Sequence, residues 1–349
     1  TGAITLSDKV ETISVSTSTT TGTATLGAMA DADSLTSVTL TAINANVTTG
    51  TIGATGSDAN DLATITISAS GGATATLGEI WGDSTNTTTA NGGETTATMT
   101  LTSDTSSTVV LGKVTMDEGA VNLTASGAGN FTLGTADSAT VGFFIGEDST
   151  FDLSGATGTN YLNLINQVTA TSTVTLASEA GTDNIYIEDQ HTTGSDTIVI
   201  KNFETGTGGD VLHIDVSGMG SSLTDGVDGN LAVANESTEI SGAATLTAND
   251  SLLILTGEVY ATTALVDAAL EVGGTRALTT GATFEAADDL AILWSDGSNS
   301  YLGILDIGDT AVASSTIVSG KSSITTLVEL TGVDVSTSGT FTDANYDIF

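Results

Sequence analysis

Apolar and polar residues alternate with a period of two along most of the chain, in short runs punctuated by Gly, Asn, Asp and Ser. In the first part this pattern predicts strands at Ile4 to Leu6, Thr12 to Val15, Ala24 to Leu26, Leu35 to Leu40, Leu62 to Ile67, Ala73 to Leu77, Ala97 to Leu101, Thr108 to Leu111 and Val121 to Thr124. Thr, Val and Ile favour a pleated, half-buried backbone, and the punctuating residues favour turns. The expected fold class is therefore all-β.

A repeat runs through this part. Leu26-Gly27, Ile52-Gly53, Leu77-Gly78, Leu111-Gly112 and Leu133-Gly134 recur at intervals of 26, 25, 34 and 22 residues. A spacing near 25 suits one coil of a β-solenoid, each rung burying its inward side chains against the next. The uneven spacing leaves an irregular β-sandwich with Greek-key connections open as the alternative. The absence of Pro removes a common guard of strand edges. Phe143, Phe144, Ile145 and Phe151 form an apolar concentration expected to seal a junction. The boundary is placed near residue 150, giving a repetitive assembly domain (1–150) and a second domain (151–349). In the second domain, Leu265, Ala268, Ala269 and Val272 fall at helical spacing within Ala261 to Val272, and Gly273-Gly274 stops that helix. A hairpin is expected from Leu290 to Trp294, through Asp296-Gly297-Ser298-Asn299, to Tyr301 to Ile307.

Charge changes the picture. The chain has 42 acidic and 5 basic residues, a formal charge of −37, no Cys and no Pro. Nucleic acids and anionic membranes need Lys and Arg, so both are excluded as expected partners. No apolar run reaches the length that spans a bilayer, so membrane insertion is not expected. Cations are the natural partners, because carboxylate repulsion weakens compact states unless it is neutralised. Without Cys, stability outside the cell has to come from ladders, packing or metal. Thr1 opens the sequence without Met, so the numbering is expected to begin on a fragment or a processed form.

One stretch joins the acidic pattern to strong strand character. Gly181-Thr182-Asp183, Gly194-Ser195-Asp196 and Gly208-Gly209-Asp210 each set a glycine turn, then a carboxylate, before an apolar residue opens a strand. Ca²⁺ takes about six to eight oxygens from carboxylates and backbone carbonyls, and glycine lets a turn aim its carbonyls inward. The candidate calcium ligands are Asp183, Asp189, Asp196, Asp210 and Asp215, with Gly181, Gly194 and Gly208 shaping the turns. Glu204 is a further candidate. The bland reading of each Asp is a turn residue bonded to its own backbone.

The segment Asp196 to Phe203, followed by Gly208 to Asp215, resembles the module that closes the RTX region of bacterial proteins exported by type I secretion. Asp250 to Gly257, Leu290 to Gly297 and Leu330 to Val333 are similar to the C-terminal regions of large bacterial surface proteins, including those with a bluetail domain. The resemblance implies a calcium-binding β-roll region, a β-rich C-terminal part with one short helix, and an uncleaved C-terminal export signal. The sequence departs from the family in having Asp spacings of 13 and 14 and no full Gly-Gly-x-Gly-x-Asp.

Catalytic motifs are missing. Only His191 and His213 are available, with no Gly-x-Ser-x-Gly elbow, His-Glu-x-x-His helix or Walker A loop, and an enzyme is not expected. The resulting expectation is a secreted structural protein of the bacterial cell surface that self-assembles into an S-layer or extracellular filament ordered by calcium. The alternative is an adhesin or carbohydrate-binding module that takes surface polysaccharide as its partner, for which Trp81 and Trp294 are the first residues to test.

Overall fold

The computed structural model describes residues 4–5, 10–18, 21–30, 32–53, 59, 61–82, 96–116, 119–135, 141–167, 171–178, 181–187, 197–214, 236–246, 250–284, 289–307 and 314–348. The chain is all-β with one short helix and forms two compact units, Thr1–Glu188 and Asp189–Phe349. The division lies at Glu188 and not near residue 150, because pairing continues past that point in both ladders, from Val121–Gly127 through Thr150–Ala156 to Thr173–Thr175 and from Asn130–Leu133 through Asn160–Gln167 to Asp183–Ile187.

In the first unit each repeat contributes one strand to each of two long ladders. The first ladder stacks Thr12–Thr17, Ser37–Ile43, Thr64–Ser70, Ala97–Ser103, Val121–Gly127, Thr150–Ala156 and Thr173–Thr175. The second stacks Thr23–Leu26, Asn46–Thr49, Thr74–Leu77, Thr108–Leu111, Asn130–Leu133, Asn160–Gln167 and Asp183–Ile187. Shorter pairings join Ile80–Trp81, Val114–Met116 and Phe143–Ile145 in a third column. Every pairing among the described strands of this unit is parallel. Parallel neighbours need a crossover between them, not a tight hairpin, and here the crossover is the remainder of the repeat.

Period-two patterning then fixes what is buried. Val38, Leu40 and Ala42 lie beneath Ile65, Ile67 and Ala69, and Met99 and Leu101 continue the columns to Leu123 and Ala125. All are buried. Each such Val, Leu or Ile contributes on the order of 1.5–3 kcal/mol by leaving water. Phe143 and Phe151 meet edge to face at 5.0 Å and are fully buried. They belong to the core of the first unit and do not seal a junction at its end, while Phe144 faces outward and is half-buried.

The leucine-glycine repeat is partly structural. Leu77, Leu111 and Leu133 stack in one column. Leu26 stacks on Thr49, whereas Ile52 belongs to the next column, bridging Met29 and Ile80. The glycines that follow allow the turns to stack closely: a Cβ on Gly112 would sit 2.8 Å from the Gly78 carbonyl oxygen.

The second unit mixes directions. Its main sheet runs Ile198–Lys201, Ser323–Thr331, Ser300–Asp306, Asp289–Ser295, Asp250–Leu255 and Glu236–Ile240. Asp289–Ser295 and Ser300–Asp306 form the expected antiparallel hairpin, with Trp294 opposite Tyr301. Val211–Ile214 pairs in parallel with Tyr346–Ile348, so the C-terminal segment lies beside a strand more than a hundred residues earlier. The helix spans Thr263–Leu270, with the Thr262 hydroxyl accepting from the Leu265 amide at its N-terminus. It buries Val266, Ala269 and Leu270. Leu265 and Val272 are both 54% exposed, so the apolar stripe lies about one position away from the spacing expected from sequence. Polar anchors fix that rotation: Asp267 and Glu271 accept hydrogen bonds from Ser322 and Ser319.

Candidate functional site: the glycine-aspartate turns

Two of the three glycine-aspartate phrases lie within the described residues, one in each unit. Asp183 opens its strand fully buried, and Asp210 is 2% exposed. Gly181 and Gly208 both adopt positive φ, +85° and +84°, the left-handed turn that glycine permits. Asp189, Gly194, Asp196 and Asp215 lie outside the described residues.

At the first turn the oxygens converge on an amide. Asn160 opens the strand beneath Asp183 and is directly in register with it. Its Nδ2 donates to Asp183 Oδ1 at 2.7 Å, to the Ala156 carbonyl at 3.1 Å and to the Gly158 carbonyl at 3.3 Å. A Cβ on Gly181 would fall 2.1 Å from the Gly158 carbonyl oxygen, so the two turns stack with no room for a side chain.

The second turn repeats the arrangement with different residues. Asp210 Oδ2 accepts from the Glu204 amide at 2.8 Å, and the Asp210 amide donates to the Glu204 carbonyl at 2.8 Å, closing the loop on itself. Inside it, Nδ2 of the fully buried Asn345 donates to the carbonyls of Asp210, Gly206 and Glu204 at 3.1, 3.2 and 3.4 Å. The Asn345 side-chain oxygen accepts from the Gly206 amide at 2.7 Å and the Thr342 amide at 3.2 Å. A hard cation would seek the same convergent carbonyls. In both turns a neutral NH₂ group satisfies them, and the buried carboxylate serves as a hydrogen-bond acceptor.

Among the described residues, no group of three or more His, Asp or Glu side chains gathers in one place. Asn160 and Asn345 were not among the residues singled out from sequence. Asn160 carried a signal, since Gly158-Thr159-Asn160 anticipates Gly181-Thr182-Asp183 by one repeat. Asn345 carried none, the carbonyls it donates to lying 135 and more positions away.

The remaining candidates separate cleanly. Trp294 is 2% exposed and stacks on Tyr301 at 5.7 Å, so it is a core residue and offers no sugar-stacking surface. Trp81 is half-buried, and Lys113 Nζ lies 4.5 Å from its ring centroid and 4.3 Å from that of Phe144, bridging two rings. His213 faces Asp347 across the ladder at 3.2 Å. Among the described residues no helix is long and apolar enough to cross a membrane. No protein-family model, curated protein or solved structure matches this chain.

Proposed function

We propose that the chain is a self-assembling structural protein of the bacterial cell surface, built on a β-solenoid in its first unit and exported as its resemblance to type I substrates implies. One observation carries this reading. In the rung of Thr12–Thr17 and Thr23–Leu26, Ile13, Val15, Ala24 and Leu26 are only half-buried, whereas their counterparts one rung on, Val38, Leu40, Val47 and Thr49, are buried. Thr12–Thr17 pairs on one side only among the described strands. A parallel strand with half-buried inward residues that is an edge among the described strands can template another strand, and a second copy would supply one.

Calcium is the proposed ordering ion, acting through Asp189, Asp196 and Asp215 and through surface carboxylates whose repulsion opposes assembly. At Asp183 and Asp210 the Asn160 and Asn345 amides already donate to the convergent oxygens, so the ion is assigned to the other carboxylates. Light scattering and electron microscopy of the full chain, with calcium and then with a chelator, test the reading. Ordered fibres or sheets that need calcium support it, and a monodisperse monomer under all conditions rejects it. A second reading, a polysaccharide-binding module, is favoured by the half-exposed Trp81. Lys113 already lies over that ring, so this reading predicts that Lys113→Ala strengthens sugar binding.

A further inference from the structure

The outward face of the first ladder is nearly free of charge in a chain that carries −37. Its outward positions form straight columns across the five strands from Thr12–Thr17 to Val121–Gly127. The central one reads Ser14, Thr39, Thr66, Thr100, Thr124 and then Asp152, each directly in register with the next. The flanking columns are Thr, Ser and Asn as far as Ser126, which pairs with Gly155; Asp152 interrupts the central column, and the exposed Ile43 and Asp104 border the face at its end. On Ala97–Ser103 and Val121–Gly127 the face is open to solvent, with Thr98, Thr100, Thr102, Asn122 and Thr124 all exposed, whereas Thr39, Thr41, Thr66 and Ser68 are half-buried. Pairing runs without a register shift from Thr12–Thr17 to Val121–Gly127, and the first irregularity comes at Thr124 to Ser126 against the following strand.

This regularity sets two repeat distances. Hydroxyls lie about 4.8 Å apart between rungs and about 6.6 Å apart along a strand, by the spacing and rise of β-structure. Over the five rungs that keep register the array extends for about 19 Å. Thr is β-branched, so few rotamers are open to it and its hydroxyl and methyl are held in place before any partner arrives. A flexible ligand would not need such order. A lattice would, and the oxygen positions on a prism face of hexagonal ice repeat on two lengths close to these. Neutral hydroxyls can share an ordered water layer through ordinary hydrogen bonds, whereas carboxylates hold a tight hydration shell of their own. The confinement of charge to other surfaces therefore fits a water lattice. Sugar recognition would call for stacking rings, and the array contains none.

We propose that this face binds ice, taking the ordered water of a crystal surface as its ligand. The reading goes beyond self-assembly and does not depend on it. The test uses the full chain in dilute buffer, watching single ice crystals for faceting and a freezing-point gap, and measuring partition of the protein into a growing ice hemisphere. Wild type is expected to facet the crystals and partition into ice. Thr100→Tyr, at the middle of the array, is expected to lose both effects. Thr25→Tyr, on an exposed position of the second ladder, is expected to keep them. Circular dichroism establishes that each variant is folded, and Thr124→Tyr, at an exposed position of the next strand, replaces Thr100→Tyr if the latter is not. Unmodified crystals with wild type would overturn the proposal, as would equal activity in both variants. If Thr100→Tyr instead dissolves an oligomer while wild type leaves ice unchanged, the face joins copies of the chain and the proposal fails.

Discussion

Replacing Asn345 by Ala tests whether amides fill the oxygen cages. The side chain is fully buried, gives one NH₂ group to three carbonyls and accepts from two backbone amides. Truncation leaves several of these groups buried and unpaired. Each such group costs on the order of 1–3 kcal/mol, but relaxation and water entry recover part of the loss, so a destabilisation of about 3–4 kcal/mol is expected, at the upper end for single substitutions. Trp294 in the second unit and Trp81 in the first provide separate reporters for urea unfolding. The loss is expected in the Trp294 transition, with the first unit's transition unchanged. Asn345→Asp sharpens the test. It sets a carboxylate against three carbonyls, so it is expected to be less stable than wild type in chelator and to be rescued by calcium, which the wild-type turn does not need. A shift below about 0.5 kcal/mol for Asn345→Ala, within the range of ordinary surface substitutions, would refute the reasoning. Loss of calcium binding by this variant, with wild type shown to hold an ion there, would refute it equally.

Asn160→Ala should destabilise the first unit by a similar order, about 2–4 kcal/mol, because Asp183 Oδ1 and two carbonyls lose their donor; urea unfolding followed at Trp81 measures it. Gly112→Ala should lower the thermal midpoint, since its Cβ would press on the Gly78 carbonyl oxygen at 2.8 Å, whereas Gly206→Ala meets no neighbouring atom and strains only its positive φ of +87°; differential scanning calorimetry separates the two. Burial first, and then the neighbouring Glu271 charge, raise the Asp267 carboxyl above its ordinary value, against the Ser322 hydroxyl that lowers it. A raised native pKa means that the native state gains relative stability as pH falls through it and bears the penalty above it. Asp267→Asn should therefore raise the thermal midpoint near neutral pH and flatten its dependence across the acid range, as melts at a series of pH values would show.

The first unit was legible in the sequence because its signal is local. Alternation placed Thr108–Leu111 as found, and Ala97–Ser103 and Val121–Gly127 to within a few residues at one end. Thr, Val and Ile at period two leave few other ways to bury a core. Register was less legible. Ile52-Gly53 imitated the leucine-glycine pair, but the column member is Thr49, because repeats of unequal length shift a motif without changing the ladder. The helix was seen and its buried face misjudged, since Ala-Leu-Val-Asp-Ala-Ala-Leu offers apolar residues on more than one face and the hydrogen bonds of Asp267 and Glu271 decide between them. The glycine-aspartate turns were recognised as cages, but the group inside them was not. At Asp210 that group arrives from the C-terminal segment, across a separation no local pattern reports.

The central claim is that copies of this chain join through open parallel rungs to form an ordered extracellular polymer. Negative-stain microscopy of the purified full chain in millimolar calcium tests it most directly, with chelator added to a second aliquot. Fibres or sheets that appear with calcium and disperse in chelator are the predicted result. Separate particles of one size in both aliquots would contradict it.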